Sequence, residues 1–418
     1  MNAGPVITIA NWAGVNLGDD AVFIALLDSL HRHLPPSKVY VLADNEREIS
    51  RRYRVDGAAS IFEFYRPAYL PRVIRFLSES DLVVYGGGDL INGNVASMTF
   101  VALAKRLGVP VMCCGVGVLP IASPGRRRLT VSSLNAVDLI TVRDHESKER
   151  LEAMGVTRPQ VHVTADPAFM LSARSPMRPF AEPAHGGSSM TVGINIRTQD
   201  KMYSDYANWD HDSCVRVFRE VCEQLIRERD ARILFIPMEA YDRRKRYHRH
   251  VFDDALGREI RDGLERPERF VIIDGMLSPE ELKALLGTVD LLISMRLHTL
   301  LLASEFGTPM VAFDYAPKVR SFMSMIGRQE HIVSMERLDS EEVMGTIDRA
   351  LAATADASHA RELRERSMEN LTLMKHVLDA GKKERVGALR SMPAVASAVL
   401  TNLAADGLQV VRKAAGRP

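Results

Sequence analysis

The sequence predicts an α/β protein: two Rossmann-like, doubly wound domains facing a cleft, followed by a C-terminal helical tail. Three observations carry this. Short β-branched runs alternate with helix-sized segments, one stretch crowded with proline and glycine interrupts the rhythm near the middle, and strands cease after about Ser340. Strands apolar on both faces that alternate with helices belong to mostly parallel sheets covered on both sides. The expected domains are 1–172 and 190–340, joined by a linker at 173–189, with the tail at 341–418.

In chain order, Val6–Ala10 reads as the first strand. After the loop Asn11–Gly18, a helix is expected from about Asp19 to His33, with Val22, Leu26, Leu27 and Leu30 on one face. Further strands are expected at Val39–Leu42, Leu82–Tyr85, Val109–Cys113, Leu139–Val142 and Val161–Val163. Pro176, Pro179, Pro183, Gly186 and Gly187 then mark the linker. The rhythm restarts at Val192–Ile196, Ile233–Ile236, Phe270–Ile273, Leu291–Ser294 and Met310–Phe313, and Gly381 and Pro393 are the expected breaks in the tail. This is the layout of the two-domain glycosyltransferase (GT-B-like) architecture, in which the carboxyl ends of both sheets face the cleft. Ligands of open α/β sheets bind at those ends.

Composition narrows the classes. The chain has 418 residues, and 54 Lys and Arg against 53 Asp and Glu leave a formal charge of +1. That balance excludes a chain-wide electrostatic footprint for nucleic acid. No stretch approaches the roughly 18 apolar residues of a membrane span. Met1 to Ala10 lacks the basic start and long apolar run of a signal peptide, so a cytoplasmic protein is expected. Cys113, Cys114, Cys214 and Cys222 form no CxxC pair and have no histidine at zinc spacing; buried free thiols, and no metal site, are expected.

The residues just after strands carry the functional signal. Asn11-Trp12-Ala13-Gly14-Val15-Asn16-Leu17-Gly18-Asp19-Asp20 follows the first strand, where glycine and asparagine permit a tight turn before a helix start. An Asp there is ordinarily a cap. Two adjacent ones cannot both cap, which leaves Asp19 or Asp20 for chemistry. Gly86-Gly87-Gly88-Asp89 and Cys114-Gly115-Val116-Gly117 end two neighbouring strands, and Gly87, Gly88, Gly115 and Gly117 are the candidates for close backbone approach to a ligand. Arg143-Asp144, Asp166-Pro167 and Ile196-Arg197 close three more strands. Ser294-Met295-Arg296-Leu297-His298-Thr299 opens a helix with Arg and His two apart, an anion pocket in outline. Arg143, Arg197, Arg296 and His298 against Asp19 or Asp20 predict a small, multiply anionic ligand such as a carboxylate plus a phosphate. The plain alternative for Arg143 is pairing with Asp144 or another carboxylate.

Asn16-Leu17-Gly18-Asp19, Gly86-Gly87-Gly88, Gly115-Val116-Gly117, Val142-Arg143-Asp144 with Ser147, Asp166-Pro167, Arg296-Leu297-His298 and Glu305-Phe306-Gly307-Thr308-Pro309 occur in that order. Together they resemble the polysaccharide pyruvyl transferase family over roughly residues 5 to 325. The resemblance implies a two-domain glycosyltransferase-like fold and transfer of pyruvate as a ketal from phosphoenolpyruvate to a sugar diol of a polysaccharide or lipid-linked glycan precursor. It places Asp19, Arg143, Arg296, Leu297 and His298 among the functional residues. The chain departs from the family pattern at Asp89, where the glycine run often continues, and at Leu119, where glycine often precedes the proline.

The implied chemistry needs an acid, a base and fixed cations, with no metal and no cofactor beyond the phosphoenolpyruvate donor. The expected roles are Asp19 as base, His298 as acid, Arg296 and His298 on the phosphate, and Arg143, with Arg197 as second candidate, on the carboxylate. Two alternatives stay open. One is a nucleotide-sugar-dependent glycosyltransferase of the same architecture, with Glu305 on a ribose. The other is a non-catalytic scaffold relative, which would be expected to have lost the Asp or the Arg-His pair that this chain keeps. The basic run Arg243–His250 reads as a solvated helix face or as a contact with a lipid-diphosphate-linked acceptor at the inner membrane surface. Val395, Val399, Leu403, Leu408 and Val411 form a loosely amphipathic stretch that reads as packing back onto the domains or as lying in a membrane interface. No motif specifies the acceptor sugar, the ketal position or the oligomeric state.

Overall fold

The computed structural model describes residues 4–63, 66, 68–174, 190–197, 209–239, 253–273 and 277–381. Most of the expected linker, the basic run Arg243–His250, Pro393 and the Val395–Val411 stretch lie outside the described residues. Among the described residues the chain divides into two units: those in 4–14, 25–167 and 366–381 form the first, and those in 15–24 and 168–365 form the second.

In the first unit the alternating pattern yields β1 (Val6–Ala10), α1 (Leu17–His33, which the second unit shares through residue 24), β2 (Lys38–Ala43), α2 (Glu46–Arg52), β3 (Gly57–Ser60), α3 (Leu70–Glu79) and β4 (Leu82–Gly86). There follow α4 (Val95–Arg106), β5 (Val111–Val116), α5 (Pro124–Leu134), β6 (Leu139–Val142), α6 (His145–Met154) and β7 (Gln160–Val163). The strands form one parallel sheet in the order β3-β2-β1-β4-β5-β6-β7. Ile7 pairs with both Val39 and Leu82 at its centre, and all three are buried. The strand order reverses between β1 and β4, which opens a crevice at their carboxyl ends. Asn11 donates from Nδ2 to the Gly86 carbonyl at 2.5 Å and ties the two ends together.

Two strands of this unit differ most from the sequence expectation. β3 reads Gly-Ala-Ala-Ser and carries no β-branched signal; it is a strand because β2 pairs with it from Tyr40↔Gly57 onward. Gly57 also leaves room for Phe76, since a Cβ there would come within 2.6 Å of its Cζ. β5 starts later than expected and continues to Val116, with a register shift between Cys113 and Val116 where Gly115 takes φ +58.

The second unit contains β8 (Thr191–Asn195), α7 (His211–Arg229), β9 (Arg232–Phe235), α8 (Asp253–Arg261), β10 (Phe270–Ile272), α9 (Pro279–Leu286) and β11 (Leu291–Ser294). α10 (Leu297–Ser304), β12 (Met310–Asp314), α11 (Pro317–Met325), β13 (Ile332–Ser334), α12 (Ser340–Ala352) and α13 (Ser358–Gly381) complete it, α13 passing into the first unit after residue 365. This sheet is also parallel, in the order β10-β9-β8-β11-β12-β13, and reverses between β8 and β11. β13, three residues long, gave no periodic signal.

The described part of the tail is helical, and α13 is built into the first unit. Asn370, fully buried, accepts at Oδ1 from Thr141 (2.5 Å) and Thr164 (3.0 Å) and donates to the Ala165 carbonyl (3.3 Å). Thr141 in turn accepts from the Gly115 amide at 2.7 Å, so the helix steadies the β5 bulge. No described helix is long and apolar enough to cross a membrane. The cysteines are buried, and burial pushes the Cys113 thiol up to about 12, which leaves it inert near neutrality.

Candidate functional site

The strand-end residues gather in two clusters, one in each unit. In the second unit Arg296 follows β11 and is the N-cap residue of α10, its turn held by the Ser294 hydroxyl, which accepts from the Arg296 amide at 3.0 Å. Arg296 is 6% exposed. Its Nη1 donates to Glu239 Oε1 at 2.8 Å and its Nη2 to both Asp253 oxygens at 2.9 Å. Asp253 opens α8 and also accepts from the amides of Met238 (3.0 Å) and Glu239 (3.3 Å). Burial works against the Arg296 charge, but the Asp253 and Glu239 carboxylates outweigh it and raise its pKa. The same guanidinium, against burial and with help from Arg197, holds Glu239 down at about 2. Burial pushes Asp253 up, against the pull of Arg296.

Asn16 joins this cluster through Nδ2, which donates to Glu239 Oε1 at 2.9 Å, while its Oδ1 accepts from the Gly18 amide at 2.8 Å. The Leu17 amide donates to the Met238 carbonyl at 3.1 Å. Asn16 therefore caps α1, one residue ahead of the helix, and the capping role considered for the aspartates is corrected. Both lie inside the first turn, Asp20 fully buried and Asp19 half-buried. An asparagine in that position reaches the second helical N–H, which is what a cap requires.

His298 occupies the second position of α10, and its ring lies against Gly18: a Cβ on Gly18 would overlap Nδ1 and come 3.0 Å from Asn16 Oδ1. The N-terminal turns of α1 and α10 thus meet. Leu297 is buried beside them. Arg197, half-buried after β8, places its guanidinium 5.7 Å from the Tyr315 ring centroid.

In the first unit Arg143, 5% exposed, is shared by three carboxylates: Asp89 at 2.5 Å, Asp144 at 3.3 Å and Asp166 at 3.6 Å. Asp144 also caps α6 by accepting from the Ser147 amide at 2.7 Å. The glycines expected to approach a ligand have local reasons. Gly87 and Gly88 take φ +73 and +69. A Cβ on Gly115 would overlap the Pro167 ring, and one on Gly117 would lie 2.6 Å from Asp89 Oδ1 and 2.7 Å from the Arg143 guanidinium. Asp89, a departure from the family pattern, is one of the three carboxylates that hold Arg143.

Sequence reasoning missed Glu239 and Asp253. Neither lies in a motif, and the only signal was position, since Glu239 closely follows β9. The carboxylate pairing weighed for Arg143 is what the structure has, with Asp144 among three partners, whereas for Arg296 the sequence reading named no partner and Glu239 and Asp253 hold it. Glu305, the candidate ribose ligand, is the C-cap residue of α10 and spends one carboxylate oxygen on Lys283 (2.5 Å) and the other on Arg364 (2.8 Å). Among the described residues no group of His, Cys, Asp and Glu is arranged to hold a metal ion.

The fold recurs in solved structures. The UDP-GlcNAc 2-epimerase of Methanocaldococcus jannaschii matches with a TM-score of 0.59 over 88% of this chain and 99% of its own, at 11% identity. The UDP-GlcNAc 2-epimerase of Neisseria meningitidis, bound to UDP-GlcNAc, matches with 0.57 over 88% and 99%, at 14% identity. At such identities the likeness is one of fold, the two-domain GT-B type. In sequence, the amylovoran biosynthesis protein AmsJ of Erwinia amylovora is 22% identical over 389 residues, 83% of this chain and 92% of AmsJ. The profile of one family spans residues 16–317, from the cap of α1 past the Arg296-Leu297-His298 turn, and the chain therefore belongs to the polysaccharide pyruvyl transferase family.

Proposed function

We propose that this protein transfers a pyruvyl group from phosphoenolpyruvate to two hydroxyls of one sugar in a polysaccharide or lipid-linked precursor, releasing phosphate. The observation that carries the reading is the meeting of two helix N-termini, α1 at Gly18 and α10 at His298, in the second unit. Each terminus contributes the positive end of a macrodipole, and two together suit a phosphate with more than one charge. Family membership supports the pyruvyl transfer.

In the proposed reaction one sugar hydroxyl adds to C2 of phosphoenolpyruvate while C3 takes a proton and becomes a methyl group. Phosphate then leaves with the C2–O bond pair, and the second hydroxyl closes the ketal at C2; its proton departs with the phosphate. His298 supplies the proton to C3, Asp19 receives the proton of the first hydroxyl, and the α1 and α10 N-termini hold the phosphate. Arg296, locked between Glu239 and Asp253, fixes the start of α10. Arg197 is proposed for the carboxylate. The family resemblance also places Arg143 among the functional residues. Because three carboxylates already hold it, Arg143→Lys separates two roles: a donor ligand raises KM for phosphoenolpyruvate, and a structural tie lowers Tm without that rise.

Phosphate release from phosphoenolpyruvate across a panel of free and lipid-linked glycosides tests the reading. Acceptor-dependent release that Asp19→Asn and His298→Gln each cut by about 100-fold or more is expected. Wild-type turnover in Asp19→Asn overturns the base assignment. No release with any acceptor, together with saturable binding of a nucleoside diphosphate, overturns the function.

A further inference from the structure

We infer that Glu239 is a positioning residue for this site, its carboxylate tying the cap of α1 to the cap of α10 so that Gly18 stays against His298. One oxygen, Oε1, accepts from both Asn16 Nδ2 (2.9 Å) and Arg296 Nη1 (2.8 Å), the two residues that begin the two helices. The neighbouring Met238 carbonyl holds the first helical amide of α1, and Asp253 holds the Met238 and Glu239 amides from behind. Residues 238 and 239 therefore act as a strap across both helix starts. Electrostatics gives the strap its purpose. Two helix N-termini brought together present like partial charges, and a carboxylate between their caps offsets the repulsion. Arg296 alone does not need Glu239, since Asp253 already engages it by two oxygens; Asn16 does, because Glu239 is what links it to α10. Held ionised by Arg296 throughout the neutral range, Glu239 is unsuited to pass protons, which separates it from Asp19 and His298.

The inference rests on the proposed function only for its kinetic readout, and the test has a second readout free of it. Glu239→Ala and Glu239→Gln are compared with wild type by phosphate release, by thermal melting and by amide hydrogen exchange of residues 15–20 and 296–299. Glu239→Ala is expected to lose about 100-fold in kcat with KM for phosphoenolpyruvate within about threefold. Exchange should rise at the two helix starts and nowhere else, and Glu239→Gln, which keeps an oxygen acceptor, should recover to within about tenfold of wild type. Wild-type kcat in folded Glu239→Ala, or a loss no larger than its unfolded fraction, overturns the inference. If Glu239→Ala does not fold, the exchange and kcat of Glu239→Gln decide in its place: a rise at both helix starts with a smaller fall in kcat sustains the strap, and wild-type values overturn it. If wild type releases no phosphate, the functional reading fails and exchange alone decides: a rise confined to both helix starts sustains the strap, and unchanged exchange overturns it.

Discussion

Gly18 is a glycine because His298 fills the space a β-carbon would take. A single methyl there must push the imidazole away from α1, so Gly18→Ala is expected to lower kcat by about 100-fold while costing only about 1–3 kcal/mol of stability. Phosphate release and denaturant unfolding check the two figures. Glu239 gives a pH-dependent counterpart. Its folded pKa of about 2 lies below its ordinary value of 4.5, so its contribution to stability is fully present above about pH 4.5 and lost as pH falls toward 2. The stability gap between wild type and Glu239→Gln should be constant near neutrality and shrink below about pH 4.5; a gap that widens in acid contradicts the assignment. At this scale the sequence revealed the residue types and, for Arg143, the neighbouring Asp144, but not the partners that come from distant segments. The Arg296-Leu297-His298 turn was plain, whereas Glu239 and Asp253 meet Arg296 only because β9, α8 and α10 converge.

At the scale of elements, starts and stops follow local chemistry. α9 begins with a full capping box, Ser278 accepting from the Glu281 amide at 3.2 Å and Glu281 returning the bond at 2.8 Å, with Pro279 in the first turn. α6 begins at the Asp144 cap and ends at Gly155, φ +97. Ser278→Ala is expected to cost about 1 kcal/mol by chemical denaturation. Asp144→Ala should cost more, about 2–4 kcal/mol, because it also removes a carboxylate from buried Arg143. Most strands were legible from β-branched runs. β3 and β13 were not, because one lacks such residues and the other is too short; neighbouring strands impose their conformation.

At the scale of the molecule, α13 matters most. Asn370 hydrogen-bonds Thr141 of β6 and Thr164 and Ala165 in the loop after β7, and Ser367 adds one bond to the Asp166 carbonyl at 2.9 Å. Asn370→Ala removes the side-chain partner of the buried Thr164 hydroxyl and Ala165 carbonyl, while Thr141 keeps the Gly115 amide and the Cys113 carbonyl, and a loss of about 2–4 kcal/mol is expected. Thermal melting checks it. An unchanged Tm would mean that the helix merely lies on the surface. Reading the C-terminal region as a tail missed this, since a polar residue in a long helix gives no sign of its partner more than two hundred residues away.

By itself the sequence determined the alternation of strands and helices, two parallel sheets, the glycine turns at strand ends and the family. These follow from periodicity and local backbone preference, which are properties of neighbours along the chain. The tertiary structure alone decided which carboxylate neutralises which arginine, that Asn16 caps α1, that Gly18 receives His298, and that α13 completes the first unit. Those pairings depend on distance between segments remote in sequence, and charge and hydrogen-bond energies are set by that distance and by burial.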